Sequence, residues 1–112
     1  MQVESEAMQN VQVVRLKGRF DAFEVPAFTD WVERHVKPSH AQVVVNLEGV
    51  EFIDSSGLAA LVKGLKRCRE YNGNFVLCYI QQPVLIILEL TRLDKAFTFY
   101  EDETSALEAL SA

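Results

Sequence analysis

The sequence predicts one α/β domain over residues 1–112, built on a mixed, mostly parallel sheet of about five strands with four helices covering it. Three observations carry this. The runs Gln42-Val43-Val44-Val45-Asn46-Leu47 and Phe75-Val76-Leu77-Cys78-Tyr79-Ile80 lack regular polar alternation, as strands buried on both faces do. Between them Leu58, Leu61, Val62, Leu65 and Cys68 recur at i, i+3, i+4, i+7, the apolar face of a helix. Strand, helix, strand, helix, strand from residue 42 onward needs right-handed crossovers and hence parallel neighbours, and an N-terminal strand pair makes the sheet mixed.

The elements follow in order. Val3 begins a short extended piece, Gln9-Asn10 supplies turn chemistry, and Val11 to Leu16 forms the second strand. Gly18 breaks that run, so Gly18-Arg19-Phe20-Asp21 reads as a loop. Pro26 suits the first turn of a helix, where its missing N–H costs nothing. Val25, Phe28, Val32 and Val36 give that helix one apolar face, and Pro38-Ser39 ends it. After the 42–47 strand, Glu48-Gly49 reads as a turn and Val50-Glu51-Phe52-Ile53 as the approach to the second helix. Asn72-Gly73 closes that helix with residues that tolerate left-handed backbone. Pro83 opens a third helix running through Leu93, Phe97 to Tyr100 is a short last strand, and Thr104 to Leu110 a final helix with Ser105 and Glu108 as a capping box.

Composition narrows the function classes. The chain is 49% apolar and 24% charged, as ordinary soluble domains are. It carries no apolar run long enough to span a membrane and no secretion signal, so the expected address is cytoplasmic. A net charge of −5 argues against nucleic acid, which needs clustered Lys and Arg. The cluster Lys63, Lys66, Arg67, Arg69 sits late in a helix, where it favours the negative end of the dipole. Two cysteines, Cys68 and Cys78, exclude a zinc ribbon or disulfide framework and read as small hydrophobes. No metal or cofactor is expected.

The informative segment is Phe52-Ile53-Asp54-Ser55-Ser56-Gly57-Leu58, between a buried strand and a helix. Asp54 or Ser55 falls at the N-cap, where a short oxygen-bearing side chain accepts from first-turn N–H groups, and Gly57 permits close backbone approach. A nucleophilic role fails for lack of a base: the histidines, His35 and His40, flank the end of the first helix and belong at the opposite end of the sheet. Glu101, Asp102 and Glu103 read as solvated charge at a helix start.

Val45-Asn46-Leu47 followed by Phe52-Ile53-Asp54-Ser55-Ser56-Gly57-Leu58 resembles the signature of the STAS domain family, and within it the bacterial anti-sigma factor antagonists. Gly18-Arg19-Phe20-Asp21 resembles the G-x-[LF]-D loop of that family, and Glu89-Leu90-Thr91-Arg92-Leu93-Asp94 its L-T-G-L-D element. The resemblance covers nearly the whole chain and implies a single STAS-like domain, a non-enzymatic binding module. It implies that Ser55 is phosphorylated by an anti-sigma factor with serine kinase activity, which the unmodified antagonist binds, and that a metal-dependent serine phosphatase restores it. Ser56 becomes the acceptor only if the turn is shifted by one. Asp21 is similar to a residue that contacts the kinase, and Asp54, Ser55, Ser56, Gly57 and Leu58 complete the implied partner-binding set. A phosphate at a helix N-terminus would meet unpaired N–H donors, so the fold tolerates it and the effect falls on the partner.

Two other functions fit the fold: an accessory subunit of a transporter or signalling complex without phospho-switching, and a small-molecule or nucleotide binder using the same helix N-terminus as an anion site, disfavoured by Asp54 and the lack of a glycine-rich loop. Two departures from the family pattern stand out. Arg92 replaces a glycine, so its turn must avoid positive φ or hold Arg at a cost. If Val84, Ile87, Leu88 and Thr91 face the sheet, Leu85 and Ile86 turn outward as an extra interface for weak self-association or a second partner.

Overall fold

The computed structural model describes residues 1–111; Ala112, the last residue of the predicted domain, lies outside them. Five strands form one sheet in the order β1-β2-β3-β4-β5: β1 Gln2–Met8, β2 Val11–Phe20, β3 Gln42–Ile53, β4 Asn74–Cys78 and β5 Thr98–Tyr100. β1 runs antiparallel to β2 and the remaining neighbours are parallel. The helices are α1 Val25–His35, α2 Ser55–Glu70, α3 Gln82–Leu90 and α4 Glu103–Ser111. None of the described helices is long and apolar enough to cross a membrane.

Because β2, β3, β4 and β5 step across the sheet in one direction, right-handed crossovers bring α1, α2 and α3 to the same face. The main core lies there: Val14, Leu16 and Phe20 of β2, Val43, Val45 and Leu47 of β3, and Phe75 and Leu77 of β4, under Phe28, Leu61 and Leu88 of the helices. The alternate residues Val11, Val13, Val44, Val76 and Cys78 meet Ala106 and Leu107 of α4 on the other face. Both faces of the central strands are thus buried, which is why they read as unbroken apolar runs. Burial pushes the Cys68 thiol up to about 11 and Cys78 up to about 12, so both stay protonated and serve as packing.

The structure corrects the sequence reading at four boundaries. β2 does not stop at Gly18; it passes through that residue at φ 120°, a conformation open to glycine, and reaches Phe20. Nor does β3 turn at Glu48-Gly49. Between the pairs Arg15↔Asn46, Lys17↔Gly49 and Arg19↔Phe52, β3 advances three residues for each two of β2. The extra residues are absorbed as bulges, and Val50 and Ile53 both stay in the core. β4 ends at Cys78, followed by Tyr79 at φ 51°. The cap of α4 is Asp102, whose Oδ1 accepts the Ser105 N–H at 2.8 Å, so Ser105 lies inside the first turn and forms no capping box.

That placement of α4 presents Glu103 to the sheet. The Arg15 guanidinium grips it with both arms, Nε to Oε2 at 2.7 Å and one terminal nitrogen to Oε1 at 2.8 Å, and the amide of buried Asn46 donates to Oε2 at 2.6 Å. The Arg15 hydrogen bond, aided by Asn46 and opposed by burial, holds the Glu103 carboxyl below the usual glutamate range. A depressed pKa stabilises the fold above the unfolded value and ceases to do so as pH falls through the folded one.

α3 ends at Leu90, three residues short of the expected Leu93, and Arg92 follows in the left-handed region at φ 64°, ψ 13°. The substitution for glycine is therefore held at a cost of about 1 kcal/mol. Arg92→Gly is expected to raise stability by about 0.5 kcal/mol, the strain relieved less the extra freedom of an unfolded glycine. In urea the midpoint should rise at constant slope; a lower midpoint would show that the Arg92 side chain holds contacts worth more than the strain.

Candidate functional site

The site forms where β2 and β3 end side by side, the end of a parallel sheet at which loops converge. Phe20 and Ile53 are the last registered pair, and the chain leaves them as the loop Asp21–Glu24 and as Asp54, the residue before α2. Asp54 joins the two. Its N–H donates to the Phe20 carbonyl at 3.2 Å, Oδ1 accepts from the Ser56 and Gly57 N–H groups at 2.9 and 3.0 Å, and Oδ2 accepts from the Ala22 N–H at 3.2 Å. It is the N-cap of α2, in extended conformation, and one carboxylate satisfies two first-turn donors and one loop donor.

Ser55 is the first helical residue and is exposed; among the described residues no partner holds its hydroxyl. Ser56 is half-buried. Gly57 and Leu58 are buried, Leu58 within the main core. Those two therefore support the junction from beneath, and the exposed residue is Ser55, with Asp54, Ser56 and Asp21 half-buried. The close fit at Gly57 is concrete: a Cβ there would overlap the Phe20 carbonyl oxygen and lie 2.7 Å from Ile53 Cγ1.

Asp21 has a local task that the sequence did not disclose. Its Oδ1 accepts the Phe23 and Glu24 N–H groups, each at 3.1 Å, and its carbonyl accepts from Glu24 and Val25. Oδ2 meets the Arg19 guanidinium at 3.3 Å, and that guanidinium lies 3.9 Å from the centre of the Phe52 ring. Asp21 thus fixes the loop and the start of α1, which has no side-chain cap of its own.

Two of the first-turn donors that a phosphate on Ser55 was expected to find unpaired, the Ser56 and Gly57 N–H groups, are already held by Asp54. The histidines flank the other end of β3. His35 is half-buried, stacked on Trp31 at 4.8 Å between ring centres, and His40 is exposed, so no imidazole is placed to activate Ser55.

The expected outward pair on α3 is only partly open. Val84 and Leu88 are buried, Leu85 and Ile87 half-buried, and Thr91 is exposed, its hydroxyl donating to the Ile87 carbonyl at 2.8 Å. The exposed apolar residues are Ile86 and, one turn on, Leu90.

Residues 2–106 match the family model described as STAS domain. The chain belongs to the STAS domain family. It is 27% identical over 111 residues to the anti-sigma F factor antagonist of Paenibacillus polymyxa, across 98% of this chain and 95% of that protein. Among solved structures it is similar to an anti-sigma factor antagonist from Mycobacterium paratuberculosis, with a TM-score of 0.88 at 28% identity, over 99% of this chain and 94% of that one. An anti-sigma-factor antagonist (STAS) domain protein from Planctomyces limnophilus gives 0.87 at 26% identity, over 98% of each chain. STAS proteins of the anti-sigma antagonist kind are non-enzymatic binding proteins.

Proposed function

We propose that this STAS domain is a cytoplasmic anti-sigma factor antagonist that regulates transcription by partner switching. Unmodified, it docks by the Ser55 end of the sheet on an anti-sigma factor that is also a serine kinase; phosphorylation of Ser55 releases it, and a metal-dependent serine phosphatase resets it. The observation that carries the reading is the exposed Ser55 hydroxyl, set directly after a capping aspartate on a helix whose first turn is bonded to the neighbouring loop. An open hydroxyl is what a kinase needs and what an inert structural subunit does not. Family membership and the names of the relatives point the same way.

Incubation with ATP and the cognate kinase, followed by peptide mass spectrometry, tests it. One phosphate is expected on Ser55, with none incorporated by Ser55→Ala. Phosphate on Ser56 alone, or none on either serine, would sink the proposal.

A further inference from the structure

We propose that Phe23 is the apolar anchor of the docking surface, inserting its ring into an apolar pocket of the same kinase that modifies Ser55. The inference rests on the reading above and adds the residue that supplies affinity.

Phe23 is 92% exposed, while Phe20 and Phe28 on either side of it in the chain are fully buried and packed edge to face at 5.4 Å. The core beneath the loop is therefore filled, and the third ring is turned out. It is also held out. The Phe23 N–H is bonded to Asp21, as is that of Glu24, and the Ala22 N–H to Asp54, so the loop backbone is ordered before any partner arrives. An aromatic ring on a pre-ordered backbone loses little freedom on binding, which is the property of interface anchors. The nearby Phe52 differs: it is 40% exposed and already carries the Arg19 guanidinium on its face.

Continuity with Ser55 identifies the occupant. Asp54 is covalently next to Ser55 and hydrogen-bonded to the residue preceding Phe23. A protein covering the customary ~800 Å² per partner around Ser55 therefore covers the loop as well. The two residues then divide the work: Phe23 supplies attraction in both states, and Ser55 supplies the charge that ends it.

The test uses the kinase identified by its phosphorylation of Ser55, with the full chain as ligand in titration calorimetry. Phe23→Ala is expected to weaken binding about 10- to 100-fold, Phe23→Tyr to keep most of it, and Tm to stay unchanged because the ring leaves no cavity. Ser55→Asp should weaken the Phe23→Ala variant by the same factor as it weakens the wild type. If Phe23→Ala binds as tightly as wild type while Ser55→Asp does not, the inference is overturned and the switch stands. If Phe23→Ala abolishes self-association in sedimentation and leaves kinase binding intact, the ring belongs to a second copy, and the inference is again overturned. If no kinase modifies Ser55, both fall.

Discussion

Ser55→Asp is expected to lower affinity for the anti-sigma factor on the order of a hundredfold while moving Tm by no more than about 3 °C. Ser55 is exposed and caps nothing; the capping is done by Asp54, whose two oxygens bond Ser56, Gly57 and Ala22. A new carboxylate at the first helical position gains from the positive end of the helix and loses to its neighbour Asp54, two small terms of opposite sign. Within its own domain the charge therefore changes little. Across an interface it is different. A unit charge brought within about 5 Å of a partner carboxylate costs roughly 3 kcal/mol at an effective dielectric near 20. A phosphate, with about −1.5 to −2 charges, should do more. Calorimetric titration of wild type and variant, with thermal melts of both, separates the two effects. Equal affinities in two folded proteins would show that charge at this position does not drive release.

Asp54 and Ser55 were legible because a strand-to-helix junction leaves few positions for a cap, and only residues with short oxygen-bearing side chains fill it. The split between them was not legible: either can cap, and the choice is made by Ala22, which offers a further N–H that only the longer-reaching Asp54 meets. The same ambiguity misplaced the cap of α4. Asp102 and Ser105 are both good caps, and Asp102 is used where Glu103 must reach Arg15 on β2, 88 residues away in the chain. Gly18 and Gly49 read as breaks because a single strand gives no view of its neighbour; the pairing of β2 with β3 across two bulges is a property of both. Phe23 carried no signal at all. In the sequence it is one of seven phenylalanines, and what sets it apart is that Phe20 and Phe28 occupy the core first.

Gly57→Ala tests the packing beneath the site. Helix propensity alone predicts stabilisation of up to about 1 kcal/mol, since alanine is the better helix former. The structure predicts the opposite. The added methyl would overlap the Phe20 carbonyl oxygen, stand 2.7 Å from Ile53 Cγ1 and 3.2 Å from Phe20 Cδ1. The backbone oxygen cannot swing aside like a flexible side chain, and it already accepts the Asp54 N–H at 3.2 Å. Relief requires α2 to lift from β2, which stretches that bond and with it the link from Asp54 to the Ala22 loop. Overpacking of this kind costs roughly 1–3 kcal/mol; less the propensity gain, a net loss of about 1 kcal/mol and a fall in Tm of about 5 °C are expected. Partner capture should weaken as well, because the contact that is forced apart is the one that sets Ser55 against the Asp21–Glu24 loop. A Gly57→Ala protein that melts higher than wild type would mean that α2 does not sit this close to β2, and the rigid platform on which the switch depends would go with it.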